Sequence, residues 1–301
     1  MVKKTLYFGN PAYLHLRYEQ LQIRRETESE EVSIPLEDIG YLFLDHPQIT
    51  LSHALISFCA QSNIIIISCD ASHLPTGILF PTEAHTLHQQ RFQQQLASSD
   101  PLRKQLWQQT VVAKIKNQAA YLKQLHIETG NMQRWLGEVK SGDSSNREAR
   151  AAVYYWPNVF PELPGFLRDR NGEPPNQLLN YGYAILRAIV ARHLVGAGLL
   201  PAMGIHHRNQ YNAFCLADDI MEPYRPYVDR LVGDWIVKNP SYLMSNELDK
   251  NCKQMLLGLS VVDVFIDGEN SPLAHAVQRT CTSLSACFEG RLRQIRYPIF
   301  K

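Results

Sequence analysis

The feature that most constrains the fold is a change in hydrophobic periodicity near residue 80. Upstream of it, apolar and polar residues alternate, as they do in strands that bury one face. The alternation is carried by Leu14, Leu16, Tyr18, Leu21, Ile23, Ile39, Tyr41 and Phe43, and residues 64–67 are all isoleucine. Between these strands, the spacing of Leu51, Ala54, Leu55 and Phe58 predicts one short amphipathic helix. We therefore predict a small β-rich domain over residues 1–81.

Downstream of residue 82 the apolar residues follow helical spacing. Steps of four, four, four and three residues join Trp107, Val111, Ile115, Ala119 and Leu122. Further helices are predicted over residues 177–197, 217–238, 254–265 and 274–293. Pro75, Gly77 and Pro81 interrupt the pattern, so we place a linker there. The predicted fold is α+β with two domains, in which a larger all-α domain spans residues 82–301.

Composition agrees with this division and excludes several classes of protein. At about 150 residues per domain, 301 residues correspond to two domains. Six cysteines at irregular spacings, without a C-x-x-C pair, predict reduced thiols that lie mostly in the core. The longest apolar stretch, residues 184–205, is interrupted by Arg187, Arg192 and His193, so it does not predict a membrane span. We expect a soluble, cytoplasmic protein with no membrane partner.

Charge is distributed unevenly although the formal net charge is only +1. Residues 1–50 carry five basic and eight acidic side chains, whereas residues 103–150 carry nine basic and four acidic ones. Basic residues spread over helices are often a solvated surface, and the alternative is a surface that binds phosphates. The sequence pattern leaves both interpretations open for the helical domain.

The densest group of ligand-capable residues follows Gly204. It contains His206 and His207, and then Asp218, Asp219 and Glu222. Asp219 and Glu222 share a face if the segment is helical, and two carboxylates on one face repel one another unless a cation lies between them. Oxygen ligands with one imidazole suit Mg²⁺ or Mn²⁺ better than zinc. The alternative is that Asp218 and Asp219 cap a helix while the histidines lie in a loop.

A second candidate is Glu148, which lies between Arg147 and Arg150 at the start of an apolar helical run. The alternatives are a surface ion pair or an acid in the first helical turn that is stabilised by the helix dipole. The P-loop, dinucleotide-binding, esterase and zinc-protease motifs are absent from the sequence, so the corresponding enzyme classes have no motif support.

Taken in order, six segments resemble the CRISPR-associated spacer-acquisition integrase, the universal metal-dependent DNA endonuclease of CRISPR adaptation, in its type II-like form. The resemblance covers nearly the whole chain. It rests on residues 6–10 (LYFGN), 34–39 (IPLEDI), 146–149 (NREA), 179–184 (LNYGYA), 198–207 (GLLPAMGIHH) and 216–226 (LADDIMEPYRP).

The resemblance implies a metal site made of a Glu, a His and a second acidic residue. These map by motif onto Glu148, His207 and Glu222 as catalytic residues and ligands of Mg²⁺ or Mn²⁺. The doubled histidine leaves a one-residue ambiguity, and the Gly-x-x-His spacing from Gly204 favours His207 over His206. Asp219 and His206 are accessory candidates.

The implied reaction is phosphoryl transfer on DNA. The 3′-hydroxyl of a captured protospacer attacks a phosphodiester at the edge of a CRISPR repeat, and a divalent metal polarises the scissile phosphate. Candidate DNA contacts are Tyr181, Arg147, Arg150, Arg208 and Arg225, and core packing is the alternative for Tyr181.

The resemblance also implies a set of partners. These are double-stranded DNA (protospacer and repeat), a second copy of the chain bound through the β-rich domain, the small second universal CRISPR-associated acquisition protein in a larger complex, and the type II effector nuclease. Two other functions stay open, a non-catalytic DNA-binding scaffold and a structural assembly subunit.

Overall fold

The computed structural model describes residues 3–25, 30–71, 73, 75–81, 85–244 and 248–301. The chain divides into two compact units, Met1–His88 and Gln89–Lys301. The predicted combination of a β-rich N-terminal domain with a larger helical domain is confirmed. No helix in the described part of the chain is long and apolar enough to cross a membrane.

The N-terminal unit contains two four-stranded sheets and one helix. Its elements are β1 (Lys4–Phe8), β2 (Ala12–Arg17), β3 (Gln20–Arg24), β4 (Val32–Pro35), β5 (Ile39–Leu44), β6 (Ile49–Leu51), α1 (His53–Gln61), β7 (Ile65–Cys69) and β8 (Pro75–Leu79). One sheet has the order β1-β5-β7-β8, in which only the β7–β8 pair is antiparallel. The other has the order β4-β3-β2-β6, in which only the β2–β6 pair is parallel.

The core of this unit is built from the alternating residues that the sequence pattern selects. Leu14 and Leu21 are fully buried, as is Leu55 of α1. Ser52 caps α1, because its side chain accepts a hydrogen bond from the backbone N–H of Leu55 at 3.3 Å. Tyr18 is an exception, because it lies in the β2–β3 turn with 83% of its surface exposed.

The linker prediction is wrong for residues 75–79. This segment is strand β8, which pairs with β7 and places Ile66 opposite Leu79. Proline has no N–H, but Pro75 stands at the first position of an outer strand, where a missing donor is tolerated.

The C-terminal unit is mainly helical. Its helices are α2 (His88–Leu96), α3 (Asp100–Gln124), α4 (Gly130–Glu138), α5 (Arg147–Tyr155), α6 (Asn176–Gly196), α7 (Cys215–Met221), α8 (Arg225–Lys238), α9 (Lys250–Leu257) and α10 (Leu273–Phe288). The predicted apolar stripe of α3 is confirmed, because all five of its residues are buried. All six cysteines are free and five are buried, as predicted.

Three of the predicted helices have different limits. The helix predicted over 217–238 contains a 3₁₀ turn at Glu222–Tyr224, where Pro223 has no backbone N–H to donate to the preceding helical turn. The helix predicted over 254–265 ends earlier, and the one predicted over 274–293 ends at Phe288 before Gly290, whose φ is +75°.

The C-terminal unit is not all-α, because a β-hairpin follows α9. Strands β9 (Asp263–Ile266) and β10 (Glu269–Pro272) pair antiparallel. The turn is made by Asp267 and Gly268, which have φ values of +53° and +89°. An Asp-Gly pair between two short runs is a strong hairpin signal, and the helical interpretation of residues 254–265 overlooked it.

Candidate functional site

The first carboxylate of the site, Glu148, lies in the first turn of α5. The preceding loop is shaped for this position, because Gly142 has a φ of +69° and Asn146 adopts a left-handed conformation. Asp143 then caps the helix, since its carboxylate oxygens accept from the backbone N–H groups of Arg147 at 2.9 Å and Glu148 at 3.0 Å. The cap fixes the direction in which the Glu148 side chain leaves the helix.

The second carboxylate, Glu222, lies in the 3₁₀ turn between α7 and α8. Asn117 of α3 holds this turn by donating to the backbone carbonyl of Pro223 at 2.7 Å. Glu222 is 93% buried by side-chain area, and its Oε1 accepts from Arg225 Nε at 2.9 Å. The interruption of the helix therefore places an ionised, buried carboxylate at a defined position.

The two carboxylates converge on a single cation, the ammonium of Lys114. Lys114 Nζ lies 2.6 Å from Glu148 Oε1 and 2.6 Å from Glu222 Oε2, so these two oxygens cannot be further apart than twice that distance. Lys114 projects from the middle of α3 and only 11% of its side chain is exposed. Glu148 does lie in the first turn of α5, but it also forms an ion pair with Lys114 that is partly buried. Neither a surface ion pair nor an acid stabilised by the helix dipole therefore describes the arrangement completely.

His207 belongs to a loop that is organised around Asp219. The Asp219 carboxylate accepts backbone N–H groups from Ile205 at 2.7 Å, His206 at 3.0 Å and His207 at 3.2 Å, and it contacts His207 Nδ1 at 2.6 Å. A carboxylate on Nδ1 selects the tautomer with its lone pair on Nε2, as is common for histidines that bind metals. Gly204 is required here, because a Cβ would lie 2.4 Å from the carbonyl oxygen of His207.

His206 has a different environment from His207. Its ring stacks on Trp107 of α3, with centroids 4.1 Å apart and planes inclined by 2°. His206 therefore lacks the contact between its ring and a carboxylate that orients His207. This difference supports the assignment of His207 as the ligand.

The electrostatics of the site are dominated by burial and by opposed charges. Burial alone would raise the pKa of Glu222, but Arg225 and Lys114 outweigh it and lower that pKa to about 2. Burial would likewise lower the pKa of Lys114, but Glu222 and Glu148 outweigh it and raise that pKa. The hydrogen bond to Asp219 raises the pKa of His207 against the effect of burial, whereas burial lowers the pKa of His206.

The donor set fits a cation, and the position between the carboxylates is held by Lys114. No group of three or more His, Cys, Asp and Glu side chains in the described part of the chain is close enough to hold one metal ion. Glu148 and Glu222 nevertheless supply oxygens to one positive charge, and Glu222 acts electrostatically on His207. Oxygen ligands with one imidazole are the chemistry that Mg²⁺ and Mn²⁺ accept.

The remaining acidic candidate, Asp218, is engaged elsewhere. Its oxygens contact Arg187 Nε at 2.6 Å and Asn212 Nδ2 at 2.7 Å. The helix-cap alternative does not describe Asp219, because its carboxylate binds the backbone of the 205–207 loop.

The candidate DNA contacts differ in how accessible they are. Arg150 is exposed and lies over the Trp135 ring, and Arg208 is 65% exposed and pairs with Asp100 at 3.3 Å. Arg147 pairs with Glu138 at 2.9 Å, and Arg225 is committed to Glu222.

Tyr181 has no exposed surface. Its place in the core of the helical unit favours the packing alternative over base stacking, because a fully buried ring offers no face to a base.

Sequence reasoning missed Lys114, Asn117 and Trp107 as parts of the site. A signal for two of them was present, because Thr110, Lys114, Asn117 and Tyr121 form a second stripe at helical spacing beside the apolar stripe of α3, and all four are buried. Polar residues on a buried helix face require partners. Lys114 contacts the two site carboxylates, and Asn117 donates to the backbone carbonyls of Pro223 and Pro298.

The model of the family described as CRISPR associated protein Cas1 matches residues 6–257. A CRISPR-associated endonuclease Cas1 from Neisseria meningitidis serogroup C is 34% identical over 305 aligned residues, which cover 99% of this chain and 96% of the relative. The chain belongs to the Cas1 family. The predicted family is confirmed, and its type II-like form is consistent with the Neisseria meningitidis relative. The prediction of a DNA endonuclease of CRISPR adaptation is confirmed as well.

Solved structures share the fold at low sequence identity. A casposase bound to integration product superposes with a TM-score of 0.80 at 20% identity, covering 98% of this chain and 92% of the casposase. A chain of a Cas6-RT-Cas1–Cas2 complex gives a TM-score of 0.74 at 18% identity, covering 97% of this chain and 36% of that one. This chain therefore shares the casposase fold and the fold of the matched part of the second chain.

Proposed function

We propose that this Cas1 protein joins protospacer DNA to a CRISPR repeat in a reaction that depends on Mg²⁺ or Mn²⁺, with Glu148, His207 and Glu222 as the metal ligands. One observation carries the proposal. Two carboxylates from separate segments, α5 and the turn before α8, converge on one cation position. Asp219 orients the imidazole of His207, and the charge of Glu222 contributes to the raised pKa of that imidazole.

Some residues of the site would bind the metal, and others orient the side chains that bind it. When bound, the divalent ion supplies polarisation of the scissile phosphate and stabilisation of charge on the attacking and leaving oxygens. Glu148 and Glu222 would hold it by their carboxylate oxygens and His207 by Nε2. Asp219 fixes the orientation and tautomer of His207, and Arg225 keeps Glu222 ionised and fixes one of its two oxygens.

The second substrate group is the DNA backbone, and we propose that exposed basic residues of the helical unit bind its phosphates. Of the nine basic residues between 103 and 150, the exposed ones are Lys104, Lys116, Lys123, Arg134, Lys140 and Arg150. Lys104 and Lys140 flank the loop that leads to Glu148, since a Cβ at Gly142 would touch Lys104 Cγ at 3.1 Å. The phosphates would thus be bound close to the carboxylates.

We further propose three protein partners and a cytoplasmic location, where the DNA substrate lies. A second copy of the chain would bind through the N-terminal unit, whose outer strands carry exposed apolar residues, Val32 on β4 and Leu79 on β8. The small second acquisition protein is supported by the fold shared with the Cas6-RT-Cas1–Cas2 chain. The type II effector nuclease rests on the family resemblance alone.

A half-site integration assay with a protospacer duplex and a repeat-containing plasmid tests the proposal. Joining should require Mg²⁺ or Mn²⁺ and stop in EDTA. Glu148→Ala, His207→Ala and Glu222→Ala should each lower the rate by about 100-fold or more, because loss of one ligand displaces the metal. Binding of the duplex in EDTA should persist in all three.

His206→Ala is the matched control, because it alters the neighbouring imidazole and should be much milder. Loss of joining in His206→Ala with retention in His207→Ala would move the ligand by one residue. Full activity in all four variants would contradict the metal site, whereas binding of the duplex without joining by the natural protein in either metal would leave a DNA-binding scaffold.

A further inference from the structure

Lys114 is a buried cation at the position where the proposed ligands meet. It is the only basic residue of the nine between 103 and 150 that is buried, and both of its close partners are proposed metal ligands. A lysine ammonium is costly to bury, so a position like this one needs a specific reason. The inference below rests on the proposed function, because it concerns the same carboxylates.

The charges around Lys114 are already balanced. Glu148 and Glu222 contribute two negative charges, and Lys114 and Arg225 contribute two positive ones. Each oxygen of Glu222 faces a cation, with Arg225 Nε at 2.9 Å from Oε1 and Lys114 Nζ at 2.6 Å from Oε2. A divalent ion added to this neutral set would meet two positive charges at close range.

The oxygens themselves also limit what can be bound. Glu148 Oε1 and Glu222 Oε2 are directed at Lys114 Nζ, and Mg²⁺ needs such oxygens at about 2.1 Å. One cation can occupy the space between the two oxygens. The four-carbon stem of lysine allows its ammonium to leave that space without movement of α3.

We propose that Lys114 is a positioning residue that competes with the divalent metal for Glu148 and Glu222. Its ammonium keeps the two carboxylates converged, and it has to withdraw for the metal to bind the same oxygens. Lys114 therefore stabilises the metal-free protein and weakens its affinity for metal. Metal binding is favoured when another anion pairs with the displaced ammonium.

The test measures Mn²⁺ affinity by calorimetric titration of the full-length protein without DNA, together with its melting temperature in EDTA. Lys114→Met removes the ammonium and keeps the length of the side chain. We expect Lys114→Met to bind Mn²⁺ at least about tenfold more tightly than the natural protein. In EDTA its melting temperature should fall by about 4 °C or more, because two carboxylates lose their counter-charge.

Three further variants separate competition from other effects of charge. Arg17→Met removes an exposed charge from the N-terminal unit and should change neither quantity. Lys114→Arg keeps the positive charge and should bind Mn²⁺ no more tightly than the natural protein. Arg225→Gln removes the other cation on Glu222, and equal tightening in it and in Lys114→Met would indicate a general charge effect and overturn the inference.

The outcomes also separate this inference from the proposed function. If Glu222→Gln loses Mn²⁺ binding while Lys114→Met binds as the natural protein does, or more weakly, the metal site stands and the competition is wrong. If Mn²⁺ binding depends on neither Glu148 nor Glu222 in any variant, both proposals fail. If Lys114→Met unfolds in EDTA, refolding with Mn²⁺ should rescue it, and failure of that rescue contradicts the competition.

Discussion

At the scale of single residues, the site is defined by how each carboxylate is compensated. Two carboxylates that converge on one position repel one another unless a cation lies between them. Glu148 and Glu222 have that cation, because Lys114 contacts both of them and Arg225 pairs with Glu222. Removal of either carboxylate would therefore leave the buried Lys114 ammonium without one of its counter-charges.

We accordingly predict that Glu222→Ala destabilises the protein by about 3 kcal/mol, the cost of removing one partner from a buried ion pair. Denaturant titration at pH 7 in EDTA measures it. His206→Ala serves as the comparison and should cost less, since it keeps the backbone hydrogen bond to Asp219 and removes only a ring that stacks on Trp107. Unchanged stability in Glu222→Ala would show that the pair contributes nothing to the folded state.

At the scale of elements, α5, α6 and α8 are joined by a buried carboxylate outside the metal site. Asp229 of α8 accepts hydrogen bonds from Tyr155 of α5 at 2.7 Å and from Tyr183 of α6. Burial raises the pKa of Asp229 to about 6, against the opposing effects of the two tyrosines, Arg225 and Arg168. Arg225 also lies over the Tyr183 ring at 4.4 Å, so this network supports the residue that holds Glu222.

The raised pKa of Asp229 predicts a specific dependence of stability on pH. Between the ordinary pKa of about 4 and the folded value of about 6, the folded protein binds the proton more tightly, so this group's contribution to stability falls as pH rises. The free energy of unfolding of the natural protein minus that of Asp229→Asn should fall by about 2 kcal/mol from pH 4 to pH 7. Denaturant titrations across that range measure it, and a constant difference would contradict the raised pKa.

At the scale of the whole molecule, the uneven charge distribution predicts how DNA binding responds to salt. Affinity for a protospacer-like duplex should fall by about tenfold or more between 50 and 200 mM salt, because each bound phosphate releases counterions. The double variant Lys104→Ala/Lys140→Ala should make this dependence shallower by about one unit of log–log slope for each phosphate that is no longer bound. Arg17→Ala, an exposed residue of the N-terminal unit, should leave the slope unchanged, and a flat dependence in the natural protein would favour the solvated-surface alternative.

The same scale carries the prediction of a dimer. Sedimentation at micromolar concentration should show two copies associated through the N-terminal unit. Val32→Lys combined with Leu79→Lys should weaken this association, because charges on outer strands prevent edge-to-edge pairing. Val153→Lys in α5, where the valine is 77% exposed, is the matched control, and a monomeric natural protein would contradict the prediction.

The sequence by itself determined that a β-rich domain precedes a helical one, and it identified most of the polar residues of the site. Alternation selected Leu14 and Leu21 as core, and the α3 stripe was predicted residue by residue, because burial of one face leaves a direct periodic trace. The Asp267-Gly268 pair after α9 indicates a β-hairpin, but the apolar residues before it led to the prediction of a helix over residues 254–265. Glu148, His207 and Glu222 were identified from motif resemblance, since their spacing alone favoured helix caps and surface ion pairs.

Only the tertiary structure decided how these residues are used. Lys114 and Glu222 are far apart in the chain, and nothing local to either predicts a distance of 2.6 Å between their charged atoms. The 3₁₀ turn at Glu222–Tyr224 is held against α3 by the hydrogen bond from Asn117 to the carbonyl of Pro223. The sequence shows which charged side chains are present. Their partners depend on which helix faces pack together, and this packing is set by contacts between residues far apart in the chain.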